Sequence, residues 1–131
     1  MAFDRGGSHT EVKVLLDTSG LLMIRWVDIF AELERLGYLE YLVPQAVCDE
    51  LEGLRKTLKG RDREMLNLVR LLLERCKVIE GKGKADDIIL EIATREGVAV
   101  LTNDRELSER LREKGVRVVS LRQKKYLFER G

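Results

Sequence analysis

Proline, histidine and cysteine are nearly missing from this chain, with one proline (Pro44), one histidine (His9) and two cysteines (Cys48, Cys76) among 131 residues. The lone histidine lies in a polar opening stretch, Met1 to Thr10, that carries Gly6 and Gly7. That stretch reads as a flexible tail over residues 1–11, ahead of a single domain over 12–131. An imidazole base inside the fold is thereby excluded, and serine and cysteine hydrolase triads with it. The cysteines form no CxxC pattern, so no zinc site of the usual spacing is expected. They read as reduced thiols of a cytoplasmic protein, and a disulfide would call for a hyperthermophilic source. No apolar run approaches membrane-spanning length and no charged-then-apolar leader opens the chain, so no membrane partner is expected. Asn and Gln are scarce beside abundant Lys, Arg and Glu, a composition that leans towards a thermophile.

What the chain does have is 44% hydrophobic and 36% charged residues with a formal net charge of +1. That suits a soluble domain with one core. The near-neutral sum excludes neither nucleic acid nor protein partners, because local patches act on their own. Val12 to Leu16 reads as a buried strand ended by Asp17. A helical spacing follows over about Gly20 to Leu36, with Gly37 as its stop. Leu39 to Val43 is a strand, Pro44 suits the first turn of a helix over Gln45 to Leu58, and Asp62 to Glu74 is a further helix with Met65, Leu66, Leu68, Val69, Leu72 and Leu73 inward. Lys77 to Ile79 is a strand, Asp86 to Glu96 a helix closed by Gly97, and Val98 to Leu101 a second buried strand. Asp104 to Lys114 is a helix, and Val116 to Val119 a last strand before a basic tail. Alternating strands and helices argue for an α/β fold, a Rossmann-like parallel sheet in an α/β/α sandwich.

Four acids stand out, each with an ordinary explanation beside the functional one. Asp17 and Asp104 each follow a buried strand, where open α/β sheets build their sites. Asp104 also sits in a helix's first turn, behind an Asn103–Glu106 pair that matches a capping box. Glu50 shares a helix face with Ala46, Val47 and Leu54, and a carboxylate on an apolar stripe needs a cation or donors; an Arg or Lys partner is the plain alternative. Asp86 aligns with Ile89 and Ala93, although acids in a first turn also complement the helix dipole. An α/β topology can bring all four to one edge. Converging carboxylates repel one another and are tolerated where a hard cation such as Mg²⁺ or Mn²⁺ neutralises them. Such a site without histidine suits phosphodiester hydrolysis. Thr18, Ser19, Thr102 and Asn103 stand ready to orient ligands or water from behind.

At these residues the chain resembles the PIN-domain family of metal-dependent ribonucleases. The matching stretches are Leu16-Asp17-Thr18-Ser19, Val43 to Leu51, Ala85-Asp86-Asp87-Ile88-Ile89 with Ala93, and Leu101 to Leu107, in the family's order. The resemblance implies a PIN-like sheet between helices, Mg²⁺ or Mn²⁺ held by Asp17, Glu50, Asp86 and Asp104, RNA as substrate, and a homodimer. Asp87 stands where the family requires no acid and is at most a supporting residue. Two subgroups match: the PIN endonuclease of ribosomal small-subunit processing with its archaeal relatives, and VapC-type toxins. They imply a pre-ribosomal particle or an antitoxin protein as partner.

Basic residues Lys59, Arg61, Lys82, Lys84, Lys124 and Lys125 would hold RNA phosphates if they approach the acidic edge; otherwise they are solvated loops. Tyr126 or Phe128 could stack a base, but packing of the tail on the sheet is the better reading. Trp26 reads as core or dimer interface. A catalytically silent PIN-like module that binds RNA or protein is the alternative, and the intact quartet argues against it. A receiver-like signalling domain expects an acidic pair after the first strand, where Asp17 stands alone.

Overall fold

A computed structural model describes residues 12–130; the N-terminal tail and His9 lie outside the described residues. In chain order the elements are β1 (Lys13–Leu16), α1 (Thr18–Leu21), a 3₁₀ turn (Leu22–Arg25), α2 (Ile29–Arg35), β2 (Glu40–Pro44), α3 (Gln45–Thr57) and α4 (Gly60–Leu73). There follow β3 (Lys77–Ile79), α5 (Ala85–Glu96), β4 (Ala99–Leu101), α6 (Arg105–Glu113), β5 (Val118–Arg122) and β6 (Tyr126–Arg130). The six strands pair in the order β3-β2-β1-β4-β5-β6. The first five run parallel, and β6 runs antiparallel to β5.

The centre of the sheet is its most apolar part. Val14, Leu15 and Leu16 of β1 and Ala99, Val100 and Leu101 of β4 are fully buried, which requires helices on both faces and explains their unbroken apolar runs. Leu33 of α2, Val47 and Leu51 of α3, Ile89 of α5 and Leu107 and Leu111 of α6 complete that core. From β1 the chain moves outward through β2 and β3 on one side, and β4 and β5 extend the other. Connections leaving β1 and β4 therefore part in opposite directions and open a crevice at the carboxyl ends of the strands. Leu16 is paired with Leu101, so Asp17 and Thr102 are the next residues on neighbouring strands.

Several expectations need correction. The helical stretch Gly20 to Leu36 is broken at Trp26 to Asp28, because Asp28 accepts from the Ala31 amide at 3.1 Å and caps a new helix. Trp26 is 38% exposed rather than core, with the Arg25 guanidinium 4.8 Å and the Lys124 ammonium 5.3 Å from its ring. Leu68 is 45% exposed, since the buried line of α4 runs through Leu66 and Val69. The last parallel strand starts later than Val116, at Val118. The basic tail packs on the sheet as expected, but as an antiparallel strand, β6, which makes the sheet mixed rather than wholly parallel.

Candidate active site

Asp17 occupies the first position past β1 and caps α1: its Oδ1 accepts from the Gly20 amide at 2.6 Å and the Ser19 hydroxyl at 2.8 Å. Its Oδ2 accepts from the Thr102 hydroxyl. Gly20 has no room for a side chain there, since a Cβ would stand 2.5 Å from the Leu101 carbonyl oxygen. Thr102, buried at the end of β4, also accepts from the Asp104 amide at 3.0 Å, while the Asn103 amide donates to Ser19 Oγ at 2.9 Å. The ends of β1 and β4 are thus knotted through one set of hydroxyls. Burial pushes the Asp17 carboxyl up from 3.8 to about 6, against the pull of these three donors and with a small push from the Asp86 charge.

Asp104 lies two residues beyond Thr102 and caps α6 by accepting from the Leu107 amide at 2.9 Å. The cap is therefore Asp104 and not Asn103, because the first helical residue is Arg105. Glu50 is exposed, a correction to its expected place on the apolar stripe of α3. The buried line of that helix runs Val47–Leu51, and Glu50 stands one residue, about 100°, off Leu51. There it accepts from the Thr18 hydroxyl at 2.5 Å, across from α1. Asp86 is half-buried in the first turn of α5. Its carboxyl is raised by burial first, then by the charges of Asp104 and Glu50, and is eased downward by Arg110.

All four acids line one open cavity of about 360 Å³, together with Thr18, Ser19, Leu22 and Ala85. Asp87 is exposed, does not line the cavity, and pairs instead with Arg110 at 3.4 Å. Sequence reasoning missed two residues. Gly20 is recognisable only from the close packing it permits, and Arg110 carries a weaker signal, a cation beside the Leu107–Leu111 stripe. None of Lys59, Arg61, Lys82, Lys84, Lys124 and Lys125 lines the cavity. Arg61 borders an apolar groove with Ile24 and Met65, Lys82 a shallow hollow with Gln45, and Lys124 the Trp26 ring.

The donor set fits a hard divalent cation: four carboxylates from four elements, mutually repelling, with no cationic side chain in the lining. As placed, no three acids, thiols or imidazoles among the described residues are drawn tightly enough to hold one ion. Coordination therefore calls for the acids to draw closer together than they stand here.

A family model described as a PIN-like domain matches residues 14–124 of the chain. Ribonuclease VapC4 of Methanocaldococcus jannaschii is 34% identical over 122 residues, 87% of this chain and 93% of its own length. Ribonuclease VapC9 of Archaeoglobus fulgidus is 28% identical over 130 residues, 98% of this chain and 96% of its own. Among solved structures the PIN domain endonuclease Utp24 matches with a TM-score of 0.70 at 23% identity, over 86% of this chain and 87% of its own, a likeness of fold.

Proposed function

Since this chain belongs to the PIN-like domain family, we propose that it is a ribonuclease that hydrolyses RNA phosphodiester bonds with Mg²⁺ or Mn²⁺. The observation that carries this reading is the meeting of Asp17, Glu50, Asp86 and Asp104 in one cavity at the switch point of the sheet. These four would hold the ion, which when bound supplies Lewis acidity to the attacking water and the leaving oxygen. The chain's own residues do the positioning. Asp17 is fixed from three directions by Thr102, Ser19 and Gly20, and Asp104 is held by its cap on α6. Glu50 has Oε1 engaged by Thr18, which leaves Oε2 to take a proton from the attacking water. A catalytically silent module is not favoured, because every acid of the quartet is present and faces the same cavity.

The protein acts in this reading as a cytoplasmic homodimer. Its macromolecular partner is an antitoxin protein or a pre-ribosomal particle, and the two VapC-named relatives of matching length favour the first. The test is cleavage of a single-stranded RNA panel in EDTA, Mg²⁺ or Mn²⁺, comparing wild type with Asp17→Asn. Metal-dependent cutting that falls at least a hundredfold in the variant is the expected result. A clean wild-type protein that cuts nothing, and binds neither metal by calorimetry, overturns the reading.

A further inference from the structure

Beside the acid cavity lies a second cleft of about 430 Å³, formed between α6 and the β5–β6 hairpin. The two share a wall. Asp104 lines the first and its neighbour Asn103 the second, and Ser120 in the cleft donates to the Thr102 carbonyl at 3.1 Å. Their charges are opposite. Arg105 and Arg112 of α6 and Arg130 of β6 line the cleft, opposed there by Glu109 alone. Glu109 stands 3.7 Å from Arg105 in a solvent-exposed pair, a geometry that binds the arginine weakly. Arg112 and Arg130 make no ion pair among the described residues. Phe128 supplies an aromatic wall, with the Arg122 guanidinium 4.2 Å and that of Arg130 5.9 Å from its ring centre. Ser108 also lines the cleft; it is only 6% exposed, and its hydroxyl meets no hydrogen-bond partner among the described residues. A buried hydroxyl without a partner is uncommon and points to a group that arrives from outside.

We infer that this cleft is a nucleotide subsite, holding the phosphate and base of the RNA residue next to the bond cut in the acid cavity. The inference rests on the ribonuclease reading. It also answers a physical difficulty of that reading: four carboxylates repel a polyanion, and none of the lysines singled out from sequence borders them. A strand laid across both hollows would set its backbone against Arg105, next to Asp104 in the chain, and then against Arg112 and Arg130 deeper in the cleft. Arginine suits this task because its planar fork binds phosphate oxygens two at a time. A base can stack on the guanidinium layered over Phe128 or on the ring once that guanidinium swings to a phosphate, and the Ser108 hydroxyl is free for a phosphate oxygen or a 2′-hydroxyl. The cleft's volume lies within the range of about 300–1,000 Å³ usual for small-molecule sites.

The test uses the full chain in EDTA, where metal-dependent cutting is off, and a short fluorescein-labelled single-stranded RNA followed by anisotropy. Arg112→Ala and Arg130→Ala are each expected to weaken binding about five- to tenfold at low salt and to lower the slope of log affinity against log salt by about one. Arg95→Ala, at the far end of α5, leaves both unchanged. With metal restored, the two cleft variants raise KM and leave kcat nearly as it was. Wild-type cleavage together with unaltered RNA affinity in both variants overturns the subsite and leaves the nuclease standing. Arginine-dependent binding by a protein that never cuts supports the subsite while the nuclease reading falls. Absence of RNA binding by wild type in EDTA overturns the subsite, and cleavage with metal restored decides the nuclease reading separately.

Discussion

Folding strips water from Asp17 faster than Thr102, Ser19 and Gly20 replace it, so the carboxyl rests at about 6 instead of its ordinary 3.8. The folded chain therefore holds this proton more tightly than the unfolded chain does. Stability from this source is complete below the unfolded value and is lost as pH rises through about 6. Asp17→Asn removes the charged form and keeps a carbonyl oxygen for the Gly20 amide. In chelator-treated protein the variant is expected to gain about 1–3 kcal/mol at neutral pH, shrinking towards zero near pH 4, as read by urea denaturation at each pH. The change that removes cleavage would thus make the protein more stable. A variant less stable than wild type at neutral pH would show instead that the hydrogen bonds outweigh the desolvation.

At the scale of elements, what could be read depended on whether a signal was local. β1 and β4 are apolar runs with an acid at or just beyond the end, and Pro44 marks the passage from β2 into α3. Gly97 stops α5 in the left-handed conformation, at φ +68°, as a terminal glycine should. Asp17, Asp86 and Asp104 were legible for the same reason, since each follows a strand or opens a helix, whereas the helix phase that singles out Glu50 is one the structure corrects. The break before α2 was also written locally, in Asp28, but the apolar periodicity on both sides masked it. β6 carried no such signal. Its hairpin turns at Arg122 to Lys125, where the Lys125 amide donates to the Arg122 carbonyl at 3.0 Å and Gln123 and Lys124 take φ of 55° and 57°. Turns of this shape normally use Asn-Gly, and Gln-Lys reads as a charged loop. The cleft beside the active site depends on that hairpin, so it too was hidden. Lys124→Gly removes a side chain from a left-handed position and is expected to raise stability by about 0.5–1 kcal/mol, measured as a rise in Tm without change in the circular dichroism spectrum. A fall in Tm would mean that the contact of Lys124 with Trp26 outweighs the turn.

For the molecule as a whole, apolar surface is left over along α4. Leu68 and Leu71 lie one turn apart on α4 and are 45% and 61% exposed. A groove of about 420 Å³ runs beside them, lined by Ile24, Met65 and Leu68 and bordered by Arg61 and Glu64. Apolar side chains grouped on one helix and rimmed by charges mark an interaction face more often than scattered exposure does. A second copy of the chain would meet it through a two-fold axis, each α4 covering the other. Light scattering on the eluting peak is then expected to give twice the 15.1 kDa chain mass. Leu68→Lys combined with Leu71→Lys would return it to the single-chain value with the helical signal intact, because neither leucine belongs to the buried line of Leu66 and Val69. A wild-type mass of one chain at every concentration tested would leave this face without a partner of its own kind. A double variant that remains a dimer would move the interface to another surface.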